Sequence, residues 1–297
     1  GSEMCIRDRR MKDPTRVICD GHPVDQYLPF GNATGTVIFI HGMAVLGAED
    51  PRVQQLARAL TVAGLKVLIP HLTTIRALRI ERDQPAEVQS VLETIAGDPS
   101  LVVAGRFAAI AVSFSGVFAL RAACSRTLGE RMTALCLIGG YYDVDRVSDF
   151  LVNARRSDPY GRMLMVRSYY REVEPESNEF HQLLERCIRQ SAKLEDGWNL
   201  RALLDPADAL QERLYRLLDD ATERERFHRK VRTAFDSEWD GYRVSLEFAN
   251  RGTPVFLLHG RADRVIPPGE SRRLARQMTA RGIPNHLCIT RFLTHGD

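Results

Sequence analysis

The residues best suited to chemistry lie in the run 107–120, where an apolar strand pattern meets an apolar helical pattern. Ser113 stands at the junction, and the small residues Ser115 and Gly116 follow it. A tight strand-to-helix corner exposes such a hydroxyl, and the amides that open the helix favour negative charge. Under these conditions serine can attack a carbonyl. Two alternatives stay open: Ser113 only caps the helix, or Ser115 is the nucleophile.

A serine nucleophile needs a general base and an acid that orients the base. His295, in the run Leu-Thr-His-Gly near the end of the chain, is the predicted base. Asp263, in the run His-Gly-Arg-Ala-Asp, is predicted to fix its tautomer and to stabilise the imidazolium that forms during attack. Asp143 is the alternative acid, because it also follows a predicted strand. His259 and His71 are predicted to be structural.

A predicted oxyanion hole completes the arrangement. His41-Gly42-Met43 directly follows the first strong strand pattern, and backbone amides at such a strand end can point at an oxyanion. The N–H groups of Met43 and Phe114 are the predicted pair, although the His-Gly step alone would also suit a plain turn. Four residues are predicted to contact the substrate: His41, Gly42, Tyr141 and Tyr142. Met163 and Met165 are further candidates for an acyl pocket.

Strand-like runs alternate with helical patterns along the chain, and they predict the fold that would position these residues. The predicted strands are Thr36–His41, Lys66–Pro70, Phe107–Val112, Ala134–Gly139, Pro254–His259 and Asn285–Ile289. Helical patterns at Asp50–Ala63 and Ala86–Ala96 separate the early strands. This alternation predicts an α/β fold with a mostly parallel sheet flanked by helices. An antiparallel hairpin is expected within 15–30.

The strand rhythm breaks between 146 and 247. Helical patterns there, near Tyr160–Tyr170, Glu179–Lys193 and Ala207–Phe235, predict a helical cap inserted late in the sheet. The predicted core is therefore 13–145 together with 248–297, and the cap would roof the carboxyl ends of the strands, where ligands bind in such sheets. Residues 1–12 are expected to be a non-native leader. The ending at Asp297, two residues after His295, predicts an incomplete reading frame.

Composition narrows the class of protein. The 297 residues carry a net charge of +3 with both signs interspersed, which predicts neither a nucleic-acid surface nor an anionic-membrane patch. The longest apolar run, about 14 residues, is too short to span a bilayer. Six cysteines without a C-x-x-C pair predict reduced thiols and a cytoplasmic location. Neither histidine nor cysteine spacing suggests a metal site, and no cofactor is implied.

The motifs together resemble the α/β-hydrolase superfamily, over about 36–145 and 250–297. Members use the order serine, acid, histidine, which Ser113, Asp263 and His295 follow. The elbow departs from Gly-x-Ser-x-Gly, since Ala111 and Ser115 replace both glycines. The helix that usually follows the histidine is also missing from the sequence. Dehalogenase-type members, with aspartate in place of Ser113, are less similar.

The resemblance implies a serine hydrolase that cleaves a carboxylic ester or a related acyl compound through an acyl-enzyme. Two alternatives stay open: a non-catalytic ligand-binding protein on the same fold, and a peptidase or amidase. The expected partner is a small-molecule acyl substrate. The sequence leaves the acyl group and the oligomeric state open.

Overall fold

A computed structural model describes residues 13–173, 178–194 and 199–295, so the predicted leader lies outside the described residues. In this part of the chain, strands form one eight-stranded sheet with the order β1-β2-β4-β3-β5-β6-β7-β8. The strands are β1 (Thr15–Cys19), β2 (His22–Tyr27), β3 (Gly35–Ile40), β4 (Leu65–Pro70), β5 (Phe107–Val112), β6 (Met132–Ile138), β7 (Val255–Gly260) and β8 (Asn285–Thr290). From β4 to β8 across the sheet, every pairing is parallel. The predicted mostly parallel sheet is confirmed.

The predicted hairpin is also confirmed. Strands β1 and β2 pair antiparallel, and β2 continues antiparallel onto β4. The two residues between β1 and β2, Asp20 and Gly21, both have positive φ angles, 48° and 79°. Aspartate and glycine tolerate this conformation, which a two-residue hairpin turn requires.

Helices cover both faces of the sheet. They are α1 (Pro51–Val62), α2 (Thr73–Arg76), α3 (Gln84–Gly97), α4 (Gly116–Cys124), α5 (Arg126–Gly129), α6 (Val144–Asn153), α7 (Pro159–Val173), α8 (Asn178–Ser191), α9 (Ala209–Asp219), α10 (Ala221–Phe235) and α11 (Gly269–Ala280). In β3, Val37 and Phe39 join the core cluster that includes Ala57 of α1. Ile38 and Ile40 join the larger cluster on the opposite face. Burial on both faces explains why the strand lacks polar alternation.

The chain between β6 and β7 is helical. Helices α6 to α10 lie there, and none of its described residues belongs to a strand. The helical pattern near Ala207–Phe235 forms two helices, α9 and α10, which are separated at Asp220. The Asp220 carboxylate accepts hydrogen bonds from the N–H groups of Thr222 and Glu223, which starts a new helix. The exact division between core and cap stays a prediction.

No helix in the described ranges combines the length and the apolar character that a bilayer crossing needs. The cytoplasmic location stays a prediction.

Candidate active site

Ser113 lies at a strained corner. Strand β5 ends at Val112, a single 3-10 turn covers 113–115, and α4 begins at Gly116. The φ angle of Ser113 is 58°, a left-handed value that costs energy for a residue with a side chain. Ser113 keeps part of its surface exposed, whereas Ala111 and Ser115 are buried. The corner therefore presents the hydroxyl as the sequence pattern predicts.

The structure does not support Ser115 as the nucleophile. Ser115 is fully buried, and its hydroxyl donates a 2.6 Å hydrogen bond to the backbone oxygen of His41. Its proton is therefore already used inside the protein. The bond joins the corner after β5 to the end of β3.

The three residues predicted to act together lie in one hydrogen-bonded series. The Ser113 Oγ atom is 2.8 Å from Nε2 of His295, and Nδ1 of His295 is 2.8 Å from Oδ2 of Asp263. Asp263 follows β7, and His295 follows β8, so the carboxyl ends of three parallel strands bring them to one edge of the sheet. A carboxylate on Nδ1 favours the tautomer whose Nε2 accepts the serine proton.

The environment of Asp263 keeps it ionised. Burial alone would raise the pKa of its carboxyl group, but the electrostatic interaction with His295 and hydrogen bonds from His259 and His295 lower it well below the ordinary value. Its second oxygen, Oδ1, accepts hydrogen bonds from the N–H groups of Val265 and Ile266, at 2.9 and 2.8 Å. The carboxylate is therefore held in one orientation from both sides.

The alternative acid, Asp143, is used differently. Its carboxylate accepts hydrogen bonds from the N–H groups of Asp145 and Arg146 and so caps α6. The structure brings Asp263, and not Asp143, to the imidazole of His295.

The sequence predicts only a structural role for His259, but in the structure His259 contacts Asp263. Its imidazole is fully buried, and Nε2 lies 2.8 Å from the carbonyl oxygen of Ile266 and 3.2 Å from Oδ2 of Asp263. A carbonyl only accepts, so Nε2 carries the proton. Nδ1 is 2.7 Å from the hydroxyl of Ser271. The one sequence signal is its position four residues before Asp263, at the end of β7.

The predicted oxyanion loop passes close to the serine corner. A Cβ atom on Gly42 would lie 3.3 Å from the carbonyl oxygen of Val112 and 3.5 Å from Cβ of Ser113, so a side chain fits poorly here. Neither the Met43 N–H nor the Phe114 N–H donates a hydrogen bond to another described backbone group outside helices and strands. The oxyanion hole formed by these two amides stays a prediction.

Two contacts fix this loop, and sequence reasoning missed the second. His41 is only 1% exposed, and its Nδ1–H donates a 2.9 Å hydrogen bond to the Gly42 oxygen. Burial lowers the pKa of His41 to about 4, so the imidazole is neutral near pH 7. The Tyr160 hydroxyl, from α7, donates a 2.9 Å hydrogen bond to the Met43 oxygen. No local sequence pattern marks Tyr160 for this contact.

Comparisons with known proteins agree with this architecture. No family model matches the chain, and no curated protein matches it in sequence. Solved structures do match. Lipase A of Candida antarctica in its closed state has a TM-score of 0.56 at 13% identity, over 95% of this chain and 72% of that protein. The chain has the α/β-hydrolase fold.

Two further α/β-hydrolase structures show the same similarity. A thermophilic esterase of Thermogutta terrifontis has a TM-score of 0.52 at 13% identity, over 97% of this chain and 84% of that one. An acylaminoacyl peptidase of Pyrococcus horikoshii has a TM-score of 0.50 at 12% identity. That match covers 97% of this chain, which spans only 38% of the peptidase. At these identities the comparisons establish the fold alone.

A cavity of about 100 Å³ opens beside Ser113 in this α/β-hydrolase fold. Tyr141 and Met165 line it, and the Tyr141 hydroxyl donates to the backbone oxygen of Tyr242. The described lining residues do not include four others that were candidates for the pocket: His41, Gly42, Tyr142 and Met163. His41 and Met163 are buried in the protein, and the Tyr142 N–H lies 3.3 Å from a Glu270 carboxylate oxygen. The predicted substrate contacts of His41, Gly42 and Tyr142 stay predictions.

Within the residues that the structure describes, no three histidine, cysteine, aspartate or glutamate side chains are placed to hold a metal ion.

Proposed function

We propose that this protein is a serine hydrolase that cleaves a carboxylic ester or a related acyl compound through an acyl-enzyme. The observation that carries the proposal is the series from Ser113 through His295 to Asp263, with 2.8 Å at each step. Nucleophilic serine chemistry needs this order of hydroxyl, imidazole and carboxylate.

In the proposed first half-reaction, Nε2 of His295 removes the Ser113 proton while the serine oxygen attacks the acyl carbon. The carbonyl oxygen becomes an oxyanion, which the N–H groups of Met43 and Phe114 stabilise. Asp263 stabilises the imidazolium that has formed. When the intermediate collapses, Nε2 of His295 gives its proton to the leaving alcohol, and Ser113 carries the acyl group.

In the second half-reaction, water takes the place of the alcohol. His295 removes a proton from water, the resulting hydroxide attacks the acyl carbon, and the same amides hold the second oxyanion. Collapse releases the carboxylic acid and returns the proton to Ser113. This sequence consumes one ester and one water and yields one acid and one alcohol.

The cavity favours a small neutral acyl group. Its volume of about 100 Å³ is less than the ~150 Å³ of an engineered apolar cavity that takes up benzene. The helices between β6 and β7 contribute much of its wall, including Tyr160 and Met165 of α7. We propose that residues 146–247 act as the cap of this pocket and that 13–145 and 248–297 form the catalytic core.

A fluorophosphonate probe, which labels activated serines, tests the proposal. We expect wild type to be labelled and Ser113→Ala to be unlabelled. We expect Ser115→Ala, which keeps the nucleophile but loses the bond to the His41 oxygen, to be labelled more slowly. Far-UV circular dichroism checks that each variant is folded. Folded wild type that neither reacts with the probe nor hydrolyses any ester would contradict the proposal and favour a ligand-binding protein.

A substrate panel then separates esters from amides. We expect p-nitrophenyl esters of short acids to be hydrolysed faster than aminoacyl p-nitroanilides with the same acyl size. A faster rate on the anilides would assign the protein to the peptidases or amidases instead.

A further inference from the structure

The cavity wall includes polar groups that the proposed ester cleavage does not use. We propose that Ser148 and Trp239 bind a second, non-reacting carbonyl oxygen in the acyl part of the substrate. The substrate class is then a neutral oxo-acyl ester, not a plain alkyl ester. This inference rests on the proposed function for the reacting end of the substrate, at Ser113.

The wall excludes a charged acyl group. None of the described lining residues carries a carboxylate, ammonium or guanidinium group. An ionised carboxylate or ammonium group placed there would lose its hydration without gaining a counter-charge, which is costly. The remaining wall is formed mainly by aliphatic and aromatic side chains, so any polar part of the ligand has to be neutral.

Ser148 supplies the first polar contact. This residue of α6 lines the cavity and is 4% exposed, and its Oγ lies 2.5 Å from Nε2 of His228, in α10. His228 is 8% exposed, and burial lowers its pKa, so its imidazole is neutral near pH 7. When the imidazole carries its proton on Nε2 and donates to Ser148, the hydroxyl proton is free for a ligand acceptor.

Trp239 supplies the second contact. It also lines the cavity and is 4% exposed, and its buried indole N–H has no hydrogen-bond partner among the described residues. A native protein rarely leaves such a donor unpaired. The Trp239 ring centroid is 6.4 Å from that of His228, which places the indole beside the Ser148–His228 pair.

The two donors together select an acceptor. A carbonyl oxygen has two lone pairs and can accept from the Ser148 hydroxyl and from the Trp239 N–H at once. An alkyl chain at the same place would leave both donors unpaired, and this loss is the usual basis of strong discrimination between a substrate and its less polar analogue.

Matched ester pairs test this inference. We would measure kcat/KM for p-nitrophenyl 4-oxopentanoate against the pentanoate, and for the 5-oxohexanoate against the hexanoate. Each ratio is divided by the ratio for alkaline hydrolysis, which removes differences in intrinsic reactivity. We expect wild type to prefer the oxo ester about tenfold in at least one pair, the effect of one to two hydrogen bonds.

Two variants test whether Ser148 and Trp239 cause the preference for the oxo ester. Ser148→Ala and Trp239→Phe should each lower the oxo-to-alkyl ratio by about threefold or more, with circular dichroism confirming the fold. Ser191→Ala is the control, because Ser191 is also a buried serine of the inserted helices but donates within α8, to the Ile188 oxygen. Ratios near one in wild type for both pairs, or a preference that survives in both variants, would overturn the inference.

A binding measurement tests the inference separately if the protein does not hydrolyse esters. If neither ester of a pair is hydrolysed, saturation-transfer NMR with the corresponding methyl esters measures binding alone. Stronger binding of the methyl oxo ester, lost in Ser148→Ala, would still support the site. Equal binding of the two methyl esters would refute it and would leave ordered water as the partner of both donors.

Discussion

Replacing Asp263 with asparagine is the most informative single perturbation of the proposed mechanism. The N–H groups of Val265 and Ile266 both point at Oδ1, so the oxygen of the new side chain must stay there. Its NH₂ group then takes the place of Oδ2, 2.8 Å from Nδ1 of His295. An NH₂ group donates, so Nδ1 has to accept, and the imidazole proton moves to Nε2. In that tautomer His295 cannot take the Ser113 proton.

The expected magnitude follows from the same geometry. The carboxylate and the imidazolium that forms during attack are centred about 4 Å apart, which is worth about 4 kcal/mol at an effective dielectric constant of about 20. This energy corresponds to about a thousandfold in rate, since each 1.36 kcal/mol is about tenfold. The unfavourable tautomer adds to it, so we expect kcat to fall by about 10⁴, as in serine proteases with the same change.

The assay is the hydrolysis of p-nitrophenyl acetate at pH 7.5, with Asp143→Asn as the matched control. Asparagine caps a helix about as well as aspartate, so this control should keep its rate within about threefold. An Asp263→Asn protein that keeps more than a tenth of the wild-type kcat would refute the assignment of Asp263. If kcat fell strongly in Asp143→Asn while Asp263→Asn stayed active, Asp143 would be the acid that orients His295.

Three further predictions concern the oxyanion loop. The pKa of His41 is about 4 when folded and about 6.5 when unfolded, so the unfolded chain binds more protons between these values. The stability due to neutral His41 is therefore complete above pH 6.5 and falls by about 3 kcal/mol towards pH 4. In urea unfolding, the loss of stability towards pH 4 should be smaller in His41→Gln than in wild type. It should be unchanged in His286→Asn, the control, because His286 is exposed. Equal losses of stability in the two variants would contradict the prediction. Tyr160→Phe removes the hydrogen bond to the Met43 oxygen, and we expect kcat to fall about tenfold with KM nearly unchanged in steady-state assays; an unchanged kcat would count against this role. Ser115→Ala removes the hydrogen bond to the His41 oxygen and should lower the free energy of unfolding by about 1–3 kcal/mol in urea melts. A loss below about 0.3 kcal/mol would refute the importance of that bond.

The sheet was predictable because its strands are buried on both faces. An apolar run such as the one at β3 can be recognised without knowing which strand it pairs with. The hairpin turn at Asp20-Gly21 can likewise be recognised from its two residues. Strand ends were less certain: β6 begins at Met132 and not at Ala134. The pairing of the parallel strands brings each carboxyl end to one edge, and the residues that follow the strands therefore meet without any motif that joins them.

Contacts between distant helices were not predictable. Ser148 and His228 lie 80 positions apart, and the Tyr160 hydroxyl reaches a backbone oxygen 117 positions away. A helical pattern shows which face is apolar, but it does not show which helix packs on which. The same limit applies to His259, whose link to Asp263 depends on how the loop after β7 folds back, a feature without periodicity.

The departure at the elbow has a physical explanation in these contacts. Glycine at position 115 would give the corner more room, but it would lack the hydroxyl that bonds to the His41 oxygen. That bond joins the segment carrying the Phe114 N–H to the segment carrying the Met43 N–H. An oxyanion hole made by two segments is useful only if their spacing is fixed, because its effect depends on donors placed before charge develops. In the proposed oxyanion hole, the Ser115 bond to the His41 oxygen would fix this spacing, and the Tyr160 bond would hold the Met43 segment in place.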